Sequence, residues 1–426
     1  MKKATVFTIN NFAEFKIKML NWVKPFNIFC LLDNSGYSFE EPAFECLLAA
    51  GCKERLELDA GNAFSAVKEF SASQHDWLFG HLGYDLKNET EQLRSNNFDG
   101  IGFKDIHFFV PEIVLQLNEN LLTIFFDGDA EQIFSAIKLS SACMEEKQFP
   151  PVLIKKRYTR SEYIQTIQKL QQHILRGDCY EINFCQEFFC TDAVIDPLSV
   201  YQKLSAISPN PFSALYKSVD KYCICASPER YLKKTGTTII SQPIKGTAKR
   251  YLTNPLLDEN SKEELLHSDK ERSENVIVVD LVRNDLSKVC KEGTVQVKEL
   301  FGIYSFPQVH QMICTISGEL NDETDWVDVV RATFPMGSMT GAPKKRVMQL
   351  IDENERTRRG LFSGAIGYID PKADFDFNVV IRSILYNESA KYVSFQAGSA
   401  ITFYSDAEKE YEECLLKAEV IKQVLV

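Results

Sequence analysis

The residues of this chain best suited to chemistry are carboxylates in pairs and one lysine in an unusual setting. Glu271 and Glu274 stand three residues apart in a helical pattern, which puts both on one helix face just before the aliphatic run Val276 to Val279. Near the C-terminus, Glu410, Glu413 and Lys417 form a second stripe, preceded by Ser405 and Glu408 at capping-box spacing. Two helices that each offer two carboxylates could enclose a hard divalent cation such as magnesium, which takes a few carboxylate oxygens, several waters and an anionic ligand. The same spacing also describes two solvated helix faces, and spacing alone does not choose between them.

Lys245 lies in Gln242-Pro243-Ile244-Lys245-Gly246-Thr247, after the apolar Ile239-Ile240. A lysine just off a strand is a candidate for burial, and burial lowers an amine toward nucleophilic competence. A solvated surface lysine is the competing reading. Glu229, in Ser227-Pro228-Glu229-Arg230, closes a strand-like run and suits either a general acid or an arginine-paired turn residue. Gly337 through Lys344 is a glycine-rich turn ahead of a helical pattern. It is no nucleotide loop, because the Gly-Lys-Ser/Thr ending is missing and Pro343 lacks an N–H. It can still present N–H groups to a carboxylate, or be a plain tight turn.

The elements that must position these groups are strands and helices without regular βαβ alternation, which favours an α+β fold. The pattern predicts strands at Ile28 to Leu32, His107 to Val114, Leu121 to Phe126, Glu181 to Cys190, Tyr222 to Ala226, Gly364 to Tyr368 and Val379 to Leu385. It predicts helices capped by Ser161 and running to Leu175, from Lys262 to Asp285, from Ala342 to Asp352, and from Asp406 onward. Two regions are expected, 1–145 and 155–426, with the chemistry in the second.

Bulk properties exclude several function classes. A net charge of -11 disfavours general affinity for nucleic acid or anionic membrane. No stretch approaches the roughly 18 apolar residues of a membrane span, and the N-terminus lacks a secretory pattern. The 12 cysteines are scattered without Cys-x-x-Cys spacing and read as reduced thiols of a cytoplasmic protein.

Taken together and in order, the motifs resemble a known family. Gly177-Asp178-Cys179-Tyr180 with Asn183 and Gln186, Ser227-Pro228-Glu229, Pro243 to Thr247, Lys270-Glu271 through Asn275, Asp280 to Asp285, Gly337 to Lys344, Gln396-Ala397-Gly398, and Glu410 with Glu413 and Lys417 are similar to the chorismate-binding enzymes. These comprise the large subunits of anthranilate and aminodeoxychorismate synthases together with isochorismate and salicylate synthases. The resemblance spans roughly residues 155 to 425 and is fainter before that, through Leu31-Leu32-Asp33 and Gly80 to Asp85.

The resemblance implies an anthranilate synthase component I-like fold, with two large antiparallel sheets packed as a sandwich and helices outside. Lysine before Gly-Thr, at Lys245, is the aminodeoxychorismate synthase pattern, where anthranilate and isochorismate synthases usually carry alanine. The implied activity is conversion of chorismate and ammonia to 4-amino-4-deoxychorismate, on the route to p-aminobenzoate and folate. Lys245 would be the nucleophile and Glu229 the acid. Glu274 and Glu413 would bind magnesium directly, with Glu271 and Glu410 acting through water. Thr247, Gly246, His310, Ser338, Tyr368, Arg382, Gly398, Ser399, Ala400 and Lys417 would line the chorismate site. Pro211, Phe212 and Ser213 match a segment that holds tryptophan in relatives. No glutaminase signature is present, so ammonia would come from a separate glutamine amidotransferase subunit. Anthranilate synthesis, or an inactive regulatory protein retaining the fold, are the alternatives. Three positions depart from the family, one being Lys288, which replaces the arginine common after the Arg-Asn-Asp motif. Ala400 replaces a glycine, which would strain the carboxylate loop if φ is positive there, and Glu181 stands where water-activating relatives carry lysine.

Overall fold

A strand covered on both faces needs an apolar side chain at nearly every position. Ile28–Asp33 reads Ile-Phe-Cys-Leu-Leu-Asp and is buried throughout. Its alternate residues enter different cores: Ile28, Cys30 and Leu32 pack between two sheets, whereas Phe29 and Leu31 pack beneath helices. A computed structural model, which describes residues 2–37, 44–143, 149–307 and 309–425, extends this arrangement through the molecule.

The fold is α+β, with two large antiparallel sheets face to face and helices outside. The first sheet has twelve strands among the described residues. It runs Lys3–Thr8, Leu121–Phe126, Ile113–Asn118, Cys46–Ala50, Ile28–Asp33, Phe212–Ser218, Lys221–Ser227, Ser383–Asn387, Tyr392–Ile401, Glu181–Cys190 and Gly341–Ala342, with Lys155–Lys156 beside Glu181–Cys190. The second has ten. Its path is Ile244–Lys249, Val309–Glu319, Thr238–Gln242, Arg230–Thr235, Phe375–Asn378, Ala365–Ile369, Leu78–Leu82, Ile106–Val110 and Glu54–Leu58, with Gln296–Ser305 also on Val309–Glu319. Both sheets draw strands from 1–145 and from 155–426. The two regions meet in ladders, Ser213 opposite Asp33 and Ala365 opposite Leu82.

Several expected boundaries are corrected. His107 to Val114 is not one strand: Pro111 donates no N–H, and the chain passes there from Ile106–Val110 in the second sheet to Ile113–Asn118 in the first. The helix expected from Ser161 is capped by Thr159, whose side chain accepts from Glu162 N while the Glu162 carboxylate reaches back, and it spans Arg160–Leu175. The single helix expected over Lys262 to Asp285 is two, Pro255–Leu266 and Asp269–Ser287, because Ser268 caps the second by accepting from Glu271 N. Ala342 pairs with Glu181 in a ladder, so the next helix is Lys344–Asn354. Val379 to Arg382 is a crossing segment in which Arg382 has φ 49°, and the strand begins only at Ser383. The last helix, Ala407–Leu425, is capped by Asp406, whose Oδ1 accepts from Glu408 N and Lys409 N, while Ser405 binds Thr402 N. All 12 cysteines are free. Among the described residues no helix is long and apolar enough to cross a membrane.

Candidate active site

Lys245 occupies the Ile244–Lys249 edge strand, and the Asp269–Ser287 helix packs against that strand. Asn275 joins them: its Nδ2 donates to Lys245 O at 2.8 Å and to Glu271 O at 2.9 Å, so the lysine's backbone is tied to the helix that carries Glu271 and Glu274. Gly246 has φ +93°, a conformation that favours glycine, and a Cβ there would press on the Glu271 side chain at 2.9 Å.

The Lys245 amine is buried and donates to Glu181 Oε1 at 2.7 Å. Burial alone would pull the amine down, as expected from sequence. The attraction of Glu181, Glu274 and Glu229 outweighs burial and holds it above the ordinary lysine value, so the isolated chain carries an ammonium here. From sequence, Glu181 signals only the absence of the lysine that water-activating relatives carry. Its contact with Lys245 is visible only in three dimensions, because 64 residues separate the two.

Glu229 sits between Lys221–Ser227 and Arg230–Thr235, at 3% exposure. Burial pushes its carboxyl from 4.5 up to about 7, against the opposing pull of the Ser338 hydroxyl, Lys245 and Arg382. Ser338 Oγ donates to Glu229 Oε1 at 2.5 Å. Glu229 therefore titrates near neutrality, where a carboxyl can deliver a proton and be reprotonated. Arg382 is half-buried, and its guanidinium makes no hydrogen bond or ion pair with the described residues. Burial lowers it to about 10, with Glu229 pulling the other way. A guanidinium so placed suits a carboxylate ligand.

The two carboxylate-bearing helices converge on Lys270, whose Nζ lies 3.3 Å from Glu410 Oε1 and 3.9 Å from Glu274 Oε1. Glu274 Oε1, Glu410 Oε2 and Glu181 Oε2 are buried and accept no hydrogen bond. Burial raises Glu274 to about 8, opposed by Lys245, and also raises Glu271. Glu413 binds Lys417 Nζ at 2.8 Å and is held below the ordinary value by Lys417 and Lys270, although burial acts against this. No three metal-ligating side chains among the described residues stand close enough to hold an ion as they are. The donor set of Glu271, Glu274, Glu410 and Glu413, all carboxylate with two orphaned buried oxygens on Glu274 and Glu410, nevertheless fits a hard oxygen-seeking cation.

The other expected residues divide. Gly398, Ser399 and Ala400 line Tyr392–Ile401, opposite Asn183 to Cys185. A Cβ at Gly398 would meet Phe184 O at 1.9 Å, and Ser399 Oγ is buried without a partner. Ala400 pairs with Asn183 outside the left-handed region, so the anticipated strain is absent. Lys417 Nζ reaches Gly398 O at 3.0 Å. Thr247 is exposed on the lysine's own strand. His310 hydrogen-bonds Ser305 Oγ at 2.8 Å and Asp258 Oδ1 at 3.2 Å. Tyr368 packs with Trp77, Phe79 and Phe44. Ser213 pairs with Asp33, whose carboxylate takes Lys16 and the Tyr201 hydroxyl, and Arg230 lies 4.7 Å over the Phe212 ring beside Pro211.

The family model for chorismate-binding enzymes matches residues 29–423. The chain belongs to the chorismate-binding enzyme family. Aminodeoxychorismate synthase component 1 of Bacillus subtilis is 33% identical over 361 residues, covering 81% of this chain and 76% of that protein. An anthranilate synthase component I-like protein of Synechocystis is 34% identical over 354 residues, covering 82% and 72%. Among solved structures of chorismate-binding enzymes, anthranilate synthase component I of Streptococcus pneumoniae superposes with a TM-score of 0.79 at 24% identity, covering 91% of this chain and 94% of that one, a likeness of fold.

Proposed function

We propose that this chorismate-binding enzyme is an aminodeoxychorismate synthase component I, which converts chorismate and ammonia to 4-amino-4-deoxychorismate. The observation that carries the reading is the buried Lys245 amine, set on Glu181 at 2.7 Å in the site that also holds the near-neutral carboxyl of Glu229. Glu181 takes the ammonium proton as substrate arrives. The freed amine bonds to C2 of chorismate, both conjugated ring double bonds shift by one position toward C4, and the C4–O bond breaks. Glu229 protonates the departing hydroxyl, which leaves as water. Ammonia then bonds to C4, both double bonds shift back, the C2–N bond to Lys245 breaks, and the proton that ammonia sheds returns to the site's carboxylates. No oxidant or reductant is needed.

Arg382 and the Gly398 to Ile401 strand end hold the substrate carboxylates. Glu274 and Glu413, with Glu271 and Glu410 through water, would hold magnesium, which when bound clamps a substrate carboxylate and eases departure of the hydroxyl. Ammonia comes from a separate glutamine amidotransferase subunit. The Synechocystis relative's name favours a second reading, anthranilate formation, and Lys245 argues against it. Retention of Lys245, Glu229, Glu274 and Glu413 argues against an inactive protein. The test is product identification by mass spectrometry after mixing the chain with chorismate, magnesium and an ammonium salt. The expected product is 4-amino-4-deoxychorismate, and anthranilate plus pyruvate as the main products would overturn the assignment.

A further inference from the structure

The Glu229 carboxylate, which also takes the Ile244 backbone N–H, accepts from one side-chain hydroxyl among the described residues, that of Ser338, on a 3-10 turn, Gly337–Met339. The turn itself lies outside the ladders, although Gly341–Ala342 directly after it pairs with Glu181 and Ile182, and three successive carbonyls are caught from behind by two side-chain donors and one backbone N–H. Ser338 O accepts from Asn183 Nδ2 at 3.0 Å, Met339 O from Arg359 Nη1 at 2.7 Å, and Thr340 O from Asn183 N at 2.8 Å. Asn183 itself is gripped by Arg359, whose Nη2 donates to Asn183 O at 2.8 Å.

Arg359 is 2% exposed and all its N–H groups are engaged. Besides those two carbonyls it reaches Ser363 Oγ at 3.3 Å and closes a bidentate pair with Glu355, Nε to Oε2 at 3.0 Å and Nη2 to Oε1 at 2.6 Å. Glu355 Oε1 also takes Cys185 N at 2.9 Å, so the pair clamps the Glu181–Cys190 strand as well. A buried ion pair is weak evidence for stability, since apolar replacements often serve as well. Its rigid fork geometry instead sets direction and distance.

We propose that Arg359, locked by Glu355, is a positioning residue for proton delivery: it fixes the 338–340 turn and so holds the Ser338 hydroxyl on Glu229. The proposal rests on the reading of Glu229 as the acid. Arg359 touches no reacting atom. Loosening the turn withdraws the one hydrogen bond that favours ionised Glu229 from a neighbouring side chain, leaving Lys245 and Arg382 as the charged groups facing it.

The experiment combines a double-mutant cycle with an infrared titration of the Glu229 carboxyl. Arg359→Gln and Ser338→Ala are made singly and together, with Glu355→Leu/Arg359→Met as the version that leaves no unpaired buried charge should the single change fail to fold. Each Arg359 variant is expected to lower kcat about 10- to 100-fold with KM little changed, and to raise the Glu229 titration midpoint by about one pH unit. In the Ser338→Ala background the same change should cost less than about 3-fold, because its route to Glu229 is already cut. An undiminished loss in that background, or an unmoved Glu229 midpoint, would overturn the proposal. If Glu229→Gln kept full activity the acid assignment would fail, whereas the infrared shift would still report whether Arg359 holds Ser338 on this carboxyl.

Discussion

Replacing the acid with its amide should make the protein more stable while abolishing turnover, and the gain should depend on pH in a way that identifies the cause. Glu229 is 3% exposed, and its carboxyl rises from 4.5 to about 7 on folding, chiefly through burial. A carboxyl whose value is raised by folding stabilises least when ionised, so this effect is absent below pH 4.5 and grows as pH rises to about 7. At about 1.4 kcal/mol per tenfold, keeping it ionised costs about 3 kcal/mol at pH 8, about 1.4 kcal/mol at pH 5.5 and under about 0.5 kcal/mol at pH 4.5. Glu229→Gln removes the charge, keeps the shape, and still offers Ser338 an amide oxygen. With an unfolding entropy of about 2.1 cal/mol/K for each of 426 residues, the variant should melt about 3–4 °C higher at pH 8. Differential scanning calorimetry of both proteins from pH 4.5 to 8, beside a product assay at pH 7.5, makes the measurement. A melting difference that stays constant across this range, or a variant less stable at pH 8, would refute the claim that burial of this charge is what raises the carboxyl.

Lys245→Ala should cost several orders of magnitude in rate with chorismate binding retained, and intact-mass analysis of the native chain with ammonia withheld should show an adduct on Lys245. Near-normal product from the variant would remove the lysine from the mechanism. Glu274→Gln and Glu413→Gln should each abolish magnesium-dependent turnover without loss of circular-dichroism signal. Unchanged magnesium dependence in either would show that the paired helices are not the metal site. Away from the site, His81 and His107 share the buried Tyr216 hydroxyl, and burial lowers them from 6.5 to about 4 and about 3. The unfolded chain binds protons here that the folded chain refuses, so these groups withdraw stability as pH falls from about 6.5 to about 4. Urea midpoints for His107→Gln should fall less than those of the native chain between pH 7 and 5, and parallel curves would count against this.

What was legible in the sequence is what local spacing encodes. The carboxylate pairs at Glu271/Glu274 and Glu410/Glu413 follow helical period, and Glu181–Cys190 and Leu121–Phe126 are strands because their apolar and β-branched or aromatic runs suit nothing else. Helix ends were less legible, since Thr159, Ser268 and Asp406 won the capping positions by geometry that several nearby hydroxyls and carboxylates could have offered.

Sequence by itself determined the inventory: an acidic chain with a lysine before Gly-Thr, an acid after Ser-Pro, four helical glutamates, and enough ordered motifs to indicate the family. Only the tertiary structure decided how these groups act on one another. Burial predicts a lowered amine at Lys245, and the opposite holds because Glu181 arrives from another strand at 2.7 Å. The family resemblance implies that His310 and Tyr368 line the chorismate site, and in the fold one hydrogen-bonds Asp258 and the other joins an aromatic cluster. Arg359 reaches Asn183 across 176 residues. The physical reason is range: periodicity and capping act over a few residues along the chain, whereas electrostatics and hydrogen bonding act over a few ångströms in space, and the fold brings together groups between which the sequence records no distance.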